Sequence, residues 1–141
     1  MTEYADLTKC SYFPFECEVL LAVGWLAADT EYERGDSDPA FFAKLLELAR
    51  SPWEPAVCMG FHECELCQFQ PATGTANIFV PYQGNVYVAP ELIVHYIAVH
   101  RYRPPQVFID AVMACPEMNS MDYKKALLAN GGRPLVAKRD A

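Results

Sequence analysis

The chain reads as a single α+β domain, a β-hairpin and three to four helices gathered around a Cys/His site. Three observations predict this. Short β-rich apolar runs lie near residues 19–25 and 78–88,. Helix starts with a capping residue or a proline recur at Asp38-Pro39, Pro90, Pro105 and Ser120,. Between these signals, His62-Glu63-Cys64-Glu65-Leu66-Cys67 sets an imidazole and two thiols within six positions.

The elements follow in order. Residues 1–15, rich in aromatics and holding Pro14, suit an irregular strap over the core. Glu16 to Leu26 predicts a strand through Val19, Leu20, Leu21, Val23 and Trp25,. Asp38 caps a helix in which Phe41, Phe42, Leu45, Leu46 and Leu48 make the apolar stripe, and Ser51-Pro52 stops it,. Ala56 to Phe61 predicts a short strand that delivers the Cys/His motif. Ile78 to Tyr82 and Val86 to Val88 flank Gln83-Gly84-Asn85 as a hairpin,. A second helix opens at Pro90-Glu91 and runs to about His100,. Pro104-Pro105 separates it from a third, which reaches about Ala114. Ser120 caps the last, and Asn130-Gly131-Gly132 ends it,. Tyr87, Tyr96, Tyr102, Phe61 and Phe108 are expected to line the core beside the Cys/His site.

Size and composition agree with one globular domain. The 141 residues are 52% hydrophobic and 21% charged, far from a disordered composition. A chain of this length buries roughly 68% of its unfolded surface without help. Val19 to Ala28, the longest apolar stretch, is too short to span a membrane,. The first six residues are acidic and unlike a signal peptide, so the expectation is a cytoplasmic protein,. Its cysteines are then reduced, with Cys10, Cys17, Cys58 and Cys115 as buried free thiols.

The net charge is −7. Residues 1–65 hold four basic and thirteen acidic side chains, against seven and five in residues 66–141. Asp29 to Asp38 alone carries −4. Such a surface repels phosphate backbones, which excludes nucleic acid as a partner of this half and favours a basic protein. Arg101 and Arg103 around Tyr102 make only a thin basic patch. No Gly-rich phosphate loop or Gly-x-Ser-x-Gly elbow is present,.

Cys64 and Cys67 form a chelate for a soft-to-borderline cation, and imidazoles complete a tetrahedral shell; zinc is the expected ion. A redox Cys-x-x-Cys pair stands at a helix start, whereas Gln68 to Gly74 carries no amphipathic pattern. In an extended segment His62 and Cys64 point the same way. The expected ligands are therefore His62, Cys64, Cys67 and His95, with His100 as substitute. His95 and His100 lie about 140° apart around a helix, so both reach one ion only if it unwinds.

The stretch from Gly60 to about Ala114 resembles a group of small uncharacterised bacterial proteins. The likeness rests on Gly60-Phe61-His62-Glu63-Cys64-Glu65-Leu66-Cys67, on Tyr87 to Tyr96 with its Leu92-Ile93-Val94-His95, and on His100-Arg101-Tyr102-Arg103-Pro104-Pro105. Val23-Gly24-Trp25-Leu26 is similar to an element nearer their start. The resemblance covers roughly half the chain. It implies a shared fold with a His/Cys site and no particular activity.

Two functions follow. A closed four-ligand shell has no place for water, which predicts a zinc-stabilised module that binds a protein or regulates one, including an immunity-type protein that neutralises a basic partner. The alternative is a zinc-dependent hydrolase with Glu63 or Glu65 as general base. His-x-Glu occurs in zinc deaminases, but their second Cys pair is missing here, as is the His-Glu-x-x-His of metalloproteases,.

Overall fold

The computed structural model describes residues 3–55 and 61–140. Along the chain run β1 (Leu20–Ala22), α1 (Pro39–Arg50), β2 (His62–Glu63), β3 (Thr73–Gly74), β4 (Asn77–Tyr82), β5 (Asn85–Pro90), α2 (Ile93–His100), α3 (Gln106–Ala114), α4 (Met121–Ala129) and α5 (Arg133–Asp140). The α+β class holds, with five helices among the described residues.

A three-stranded sheet, ordered β1-β5-β4, forms the middle of the molecule. β4 and β5 are the expected hairpin, in register from Asn77↔Pro90 to Tyr82↔Asn85. Gln83 and Gly84 both have positive φ, 47° and 87°, the tight two-residue turn whose twist matches the strands. β1 joins β5 in parallel, Leu20 opposite Val86. Central β5 is covered on both faces, and Val86, Val88 and Ala89 have no exposed surface, as an inner strand requires.

The expected strand over Glu16 to Leu26 shortens to three residues, because the strap of residues 4–10 takes up its neighbours. Leu7 N donates to Ala22 O at 2.8 Å and Cys10 N to Leu20 O at 3.0 Å. Trp25 lies at the centre of this corner. Its indole Nε1 donates to Val88 O at 3.0 Å, and Tyr4 and Phe13 meet its ring edge-on.

Two helix boundaries differ from the expectation. α2 begins at Ile93 rather than Pro90, because pairing with Asn77 keeps Pro90 in β5. A fifth helix follows Gly132, where hydrophilic Arg133 to Asp140 shows little apolar pattern but buries Leu135 and Val136. The predicted strand over Ala56 to Phe61, and Cys58 within it, lies largely outside the described residues. A two-stranded ribbon of β2 and β3 follows it. α1 starts as expected, with Asp38 Oδ1 accepting from Ala40 N at 2.8 Å, and it buries Phe41, Leu45 and Leu48 towards α3 and β4. α4 packs on β4, where the Tyr123 hydroxyl donates to Phe79 O, and Asn130 at its end accepts from Gly84 N at 2.7 Å. Among the described residues, no helix is long and apolar enough to cross a membrane.

Gly24 is where the strap, the sheet and α2 meet. Its φ is +76°, and an added Cβ would stand 2.9 Å from Ile93 Cδ1. Its N–H donates to Asp6 Oδ1 at 3.0 Å, and Asp6 Oδ2 accepts from the buried Tyr102 hydroxyl at 2.7 Å. Gly24→Ala combines left-handed backbone strain with overpacking, and is expected to destabilise the fold by about 2–4 kcal/mol. Gly84→Ala has equally positive φ but open space around it, so it should lose only about 1–2 kcal/mol. Urea unfolding midpoints of the two variants measure the difference.

Candidate metal centre

Two remote segments supply the site. The first is the knuckle that follows β2. His62 pairs with Gly74 and Glu63 with Thr73, and Cys64 N donates to Ala72 O at 2.8 Å. The chain then turns back within three residues, which brings Cys67 alongside Cys64. Glu91 holds the returning strand: its Oε1 accepts from Thr75 N, and from Ala76 N at 3.1 Å. A Cβ on Gly74 would meet Glu91 Cγ at 2.6 Å, so glycine lets the ribbon lie this close to the Glu91 side chain. The second segment is α2 itself, which carries His95 and His100.

Cys64, Cys67, His95 and His100 converge. Their ligand atoms all lie within 4.8 Å of one another, close enough to bind one metal ion. Cys67 Sγ is 3.2 Å from His95 Nε2 and 3.5 Å from His100 Nε2, and Cys64 Sγ is 3.4 Å from His100 Nε2. Zinc bonds of about 2.3 Å to sulfur and about 2.05 Å to nitrogen give a tetrahedron with S···N edges of about 3.6 Å. The donor set and its spacing therefore fit a tetrahedral ion with little movement.

The electrostatics point the same way. Burial, joined by the neighbouring Cys67, pushes the Cys64 thiol up. Burial and the facing His100 push the His95 imidazole down. Both shifts come from crowding groups together away from water, and a cation among the four donors would favour thiolates and neutral imidazoles. The backbone holds the second histidine in place, because the Tyr32 hydroxyl donates to His100 O at 3.0 Å.

The grouping differs from the expected ligand set in one member. His62 stands outside it and His100, the substitute, stands inside. His62 shares the inward side of the ribbon with Cys64, as the alternation predicts. It faces aromatic rings, however, with Tyr12 and Trp25 each 5.6 Å away between centroids. It is 6% exposed, and burial pushes its pKa down. Cys64 turns with the knuckle while His62 stays on the core. The helical objection to His100 fails for a local reason. His100 is the last residue of α2, and Arg101 leaves the helix in left-handed conformation, φ 56°. The two rings meet nearly edge-on, 5.0 Å between centroids, without unwinding of the helix before His100.

The remaining residues singled out in the sequence fall into two groups. Tyr87, Tyr96, Tyr102 and Phe108 are buried as expected, but Phe61 is 61% exposed. It lies on the outward side of the ribbon, opposite His62, so strand alternation turns it to solvent. Glu63 and Glu65 are exposed too, and Glu65 Oε1 accepts from Ala28 N at 3.2 Å. Arg101 and Arg103, the thin basic patch, each have an intramolecular partner. Arg101 pairs with Asp36 at 3.4 Å, and Arg103 donates to Gln106 Oε1 at 3.0 Å. All five described cysteines are free.

No curated protein and no solved structure shows a significant match to the chain. A family profile matches residues 2–113, which contain the strap, the sheet, the knuckle and α2 with all four metal-site residues. The chain belongs to the family described as Domain of unknown function (DUF7919).

Proposed function

We propose that the protein is a zinc-stabilised, non-catalytic module that binds another protein, and that Cys64, Cys67, His95 and His100 hold the zinc. One observation carries this reading: four soft and borderline donors from two remote segments lie within one coordination sphere. Bound zinc would supply a cross-link and a positive charge that keeps both thiols deprotonated. The two cysteines fix the knuckle, and the two histidines anchor it to α2. Four protein ligands fill a tetrahedron, which leaves no open position for substrate water.

The hydrolase alternative has less support. Glu65 is exposed and accepts from Ala28 N, and Glu63 is exposed in β2 opposite Thr73. The partner we propose is a basic protein, on the strength of the net charge of −7 and its concentration in residues 1–65. A reducing cytoplasm would keep both thiols available to the metal.

Metal analysis of protein purified without chelators tests the site. The expected result is stoichiometric zinc. Replacement by cobalt(II) should give the intense visible absorption of a tetrahedral thiolate-bound ion. Substoichiometric metal, or the weak spectrum of a six-coordinate ion, would remove the proposal. His62→Ala should keep the metal, and His100→Ala should lose it.

A further inference from the structure

Two hollows between α1 and α2 meet at Ala98, which lines both. Pro39, Phe42, Ile97 and Arg101 help to line the first. Leu46, Ala49, Arg50, Glu91 and Val94 help to line the second. The start of α1 thus lies beside the end of α2, and its end beside the start of α2, so the two helices run antiparallel. Phe42, Leu46, Ala49 and Arg50 recur at helical spacing, as do Val94, Ile97, Ala98 and Arg101,. Each helix therefore turns one stripe to a shared groove. The other stripe of α1, with Phe41, Leu45 and Leu48, is the one in the core.

The groove is apolar along its middle and open to solvent. Leu46 is 41% exposed and Val99 60%, and Ala98 is exposed between them. The charged groups stand at the corners. Asp36 precedes α1 and Arg50 ends it, while Glu91 precedes α2 and Arg101 follows it. Because the helices are antiparallel, Asp36 shares its hollow with Arg101 and Arg50 shares the other with Glu91. Acid and base alternate around the face, and the four charges cancel. Asp36 and Arg101 are 3.4 Å apart and both largely exposed. Glu91 accepts from Thr75 N and Ala76 N. Arg50 is exposed and also borders the hollow of Glu47 and Glu117, yet among the described residues it has no ion pair. Asp38, the other acid before α1, is occupied in capping it.

We infer that this face is covered by a second copy of the chain, in a two-fold dimer that packs α1 and α2 of each copy against those of the other. A two-fold interface must be its own complement. A face with alternating corners meets that condition, because a two-fold axis along the helices, or across them, lays every acid on a base of the partner. A polybasic or polyacidic partner would find two of the four corners repulsive. The central apolar residues lose their exposed surface to the same residues of the other copy, in the manner of a four-helix bundle. The remaining acids of the chain repel a second copy, but over distances at which salt screens them. Two helices side by side, the longer about 18 Å, make a face smaller than the roughly 800 Å² per partner of a standard interface. The dimer is therefore reversible.

Sedimentation equilibrium of the full chain between about 10 µM and 1 mM tests this. The mass of the wild type should rise with concentration from 15.8 kDa towards twice that value. Leu46→Lys and Ala98→Lys should each weaken association about tenfold or more. Both lower the net charge of an acidic chain, so a loss cannot come from added repulsion. Met121→Lys, at an exposed apolar residue of α4, should stay within about twofold. Arg50→Glu should weaken the dimer several-fold, whereas Lys125→Glu, the same charge change on α4, should not. Circular dichroism of each variant confirms that it is folded. A wild type that stays at 15.8 kDa to 1 mM would overturn the inference. So would a dimer that Leu46→Lys and Ala98→Lys leave intact, or one that Met121→Lys weakens as much. The metal content of the same samples reports on the Cys/His site independently, so failure of the dimer leaves the zinc-stabilised module standing.

Discussion

Cys64→Ser and Cys67→Ser are each expected to lose stoichiometric zinc and to raise amide exchange across residues 61–76 by orders of magnitude. Between β2 and β3 the ribbon has only two strand pairs, and a ribbon this short is not stable alone,. It is held by Cys64 N to Ala72 O and by Glu91 on Thr75 and Ala76, and an ion bound by the four Cys/His donors would tie it to α2 as well. Binding free energy at such a site becomes local folding free energy. α1 should keep its protection, because Phe41, Leu45 and Leu48 pack without the metal. Hydrogen exchange read by mass spectrometry checks both halves of this. Unchanged exchange in residues 61–76 after zinc loss would show that the ribbon stands on its own packing. Loss of protection in α1 as well would show that the metal holds the whole domain.

Trp25→Ala should destabilise the protein by about 3–5 kcal/mol, a large part of the total stability of a domain this size. The indole has no exposed surface, and it contacts Tyr4, Tyr12, Phe13 and His62. Removing it leaves a cavity at the junction of strap, sheet and ribbon, and strips Val88 O of its indole donor. Trp25→Phe keeps most of the volume and should lose about half as much. Chemical unfolding followed by circular dichroism measures both. A loss below about 1 kcal/mol for Trp25→Ala would mean that the strap relaxes to fill the space.

The hairpin, α1 and the capped start of α4 were legible because each carries a local signal. Gln83-Gly84 fixes a turn, Asp38-Pro39 starts a helix, and Ser120 Oγ accepts from Tyr123 N at 3.1 Å. What was hidden depends on contacts between remote residues. β1 is cut to three residues by backbone bonds from the strap, which no periodicity announces. α5 buries two side chains and shows little pattern. At the metal site, Cys-x-x-Cys was a signal of chemistry and spacing, but the choice among three histidines was tertiary. His62 was adjacent in sequence and lay on the expected side of its strand, yet Tyr12 and Trp25 enclose it. The rotation between His95 and His100 counts against a shared ion only in a helix that continues past both. A helix that stops at His100 escapes it, and the left-handed Arg101 that stops it has no glycine or asparagine to mark it.

The packing of α4 across β4 has a consequence for the edge of the sheet. In the order β1-β5-β4, the strand with Ile78, Phe79 and Val80 is an edge, and an apolar edge is a template on which a foreign strand can pair,. Here that template is closed at successive points. The Tyr123 hydroxyl occupies Phe79 O, and Pro81 offers no N–H,. Asn130 grips the hairpin tip through Gly84. Tyr123 and Asn130 both lie beyond residue 113, where the match to the family ends. α4 and the residue that ends it therefore take up an acceptor on the outer edge of β4 and the tip of its hairpin, on a different ribbon from the Cys/His cluster.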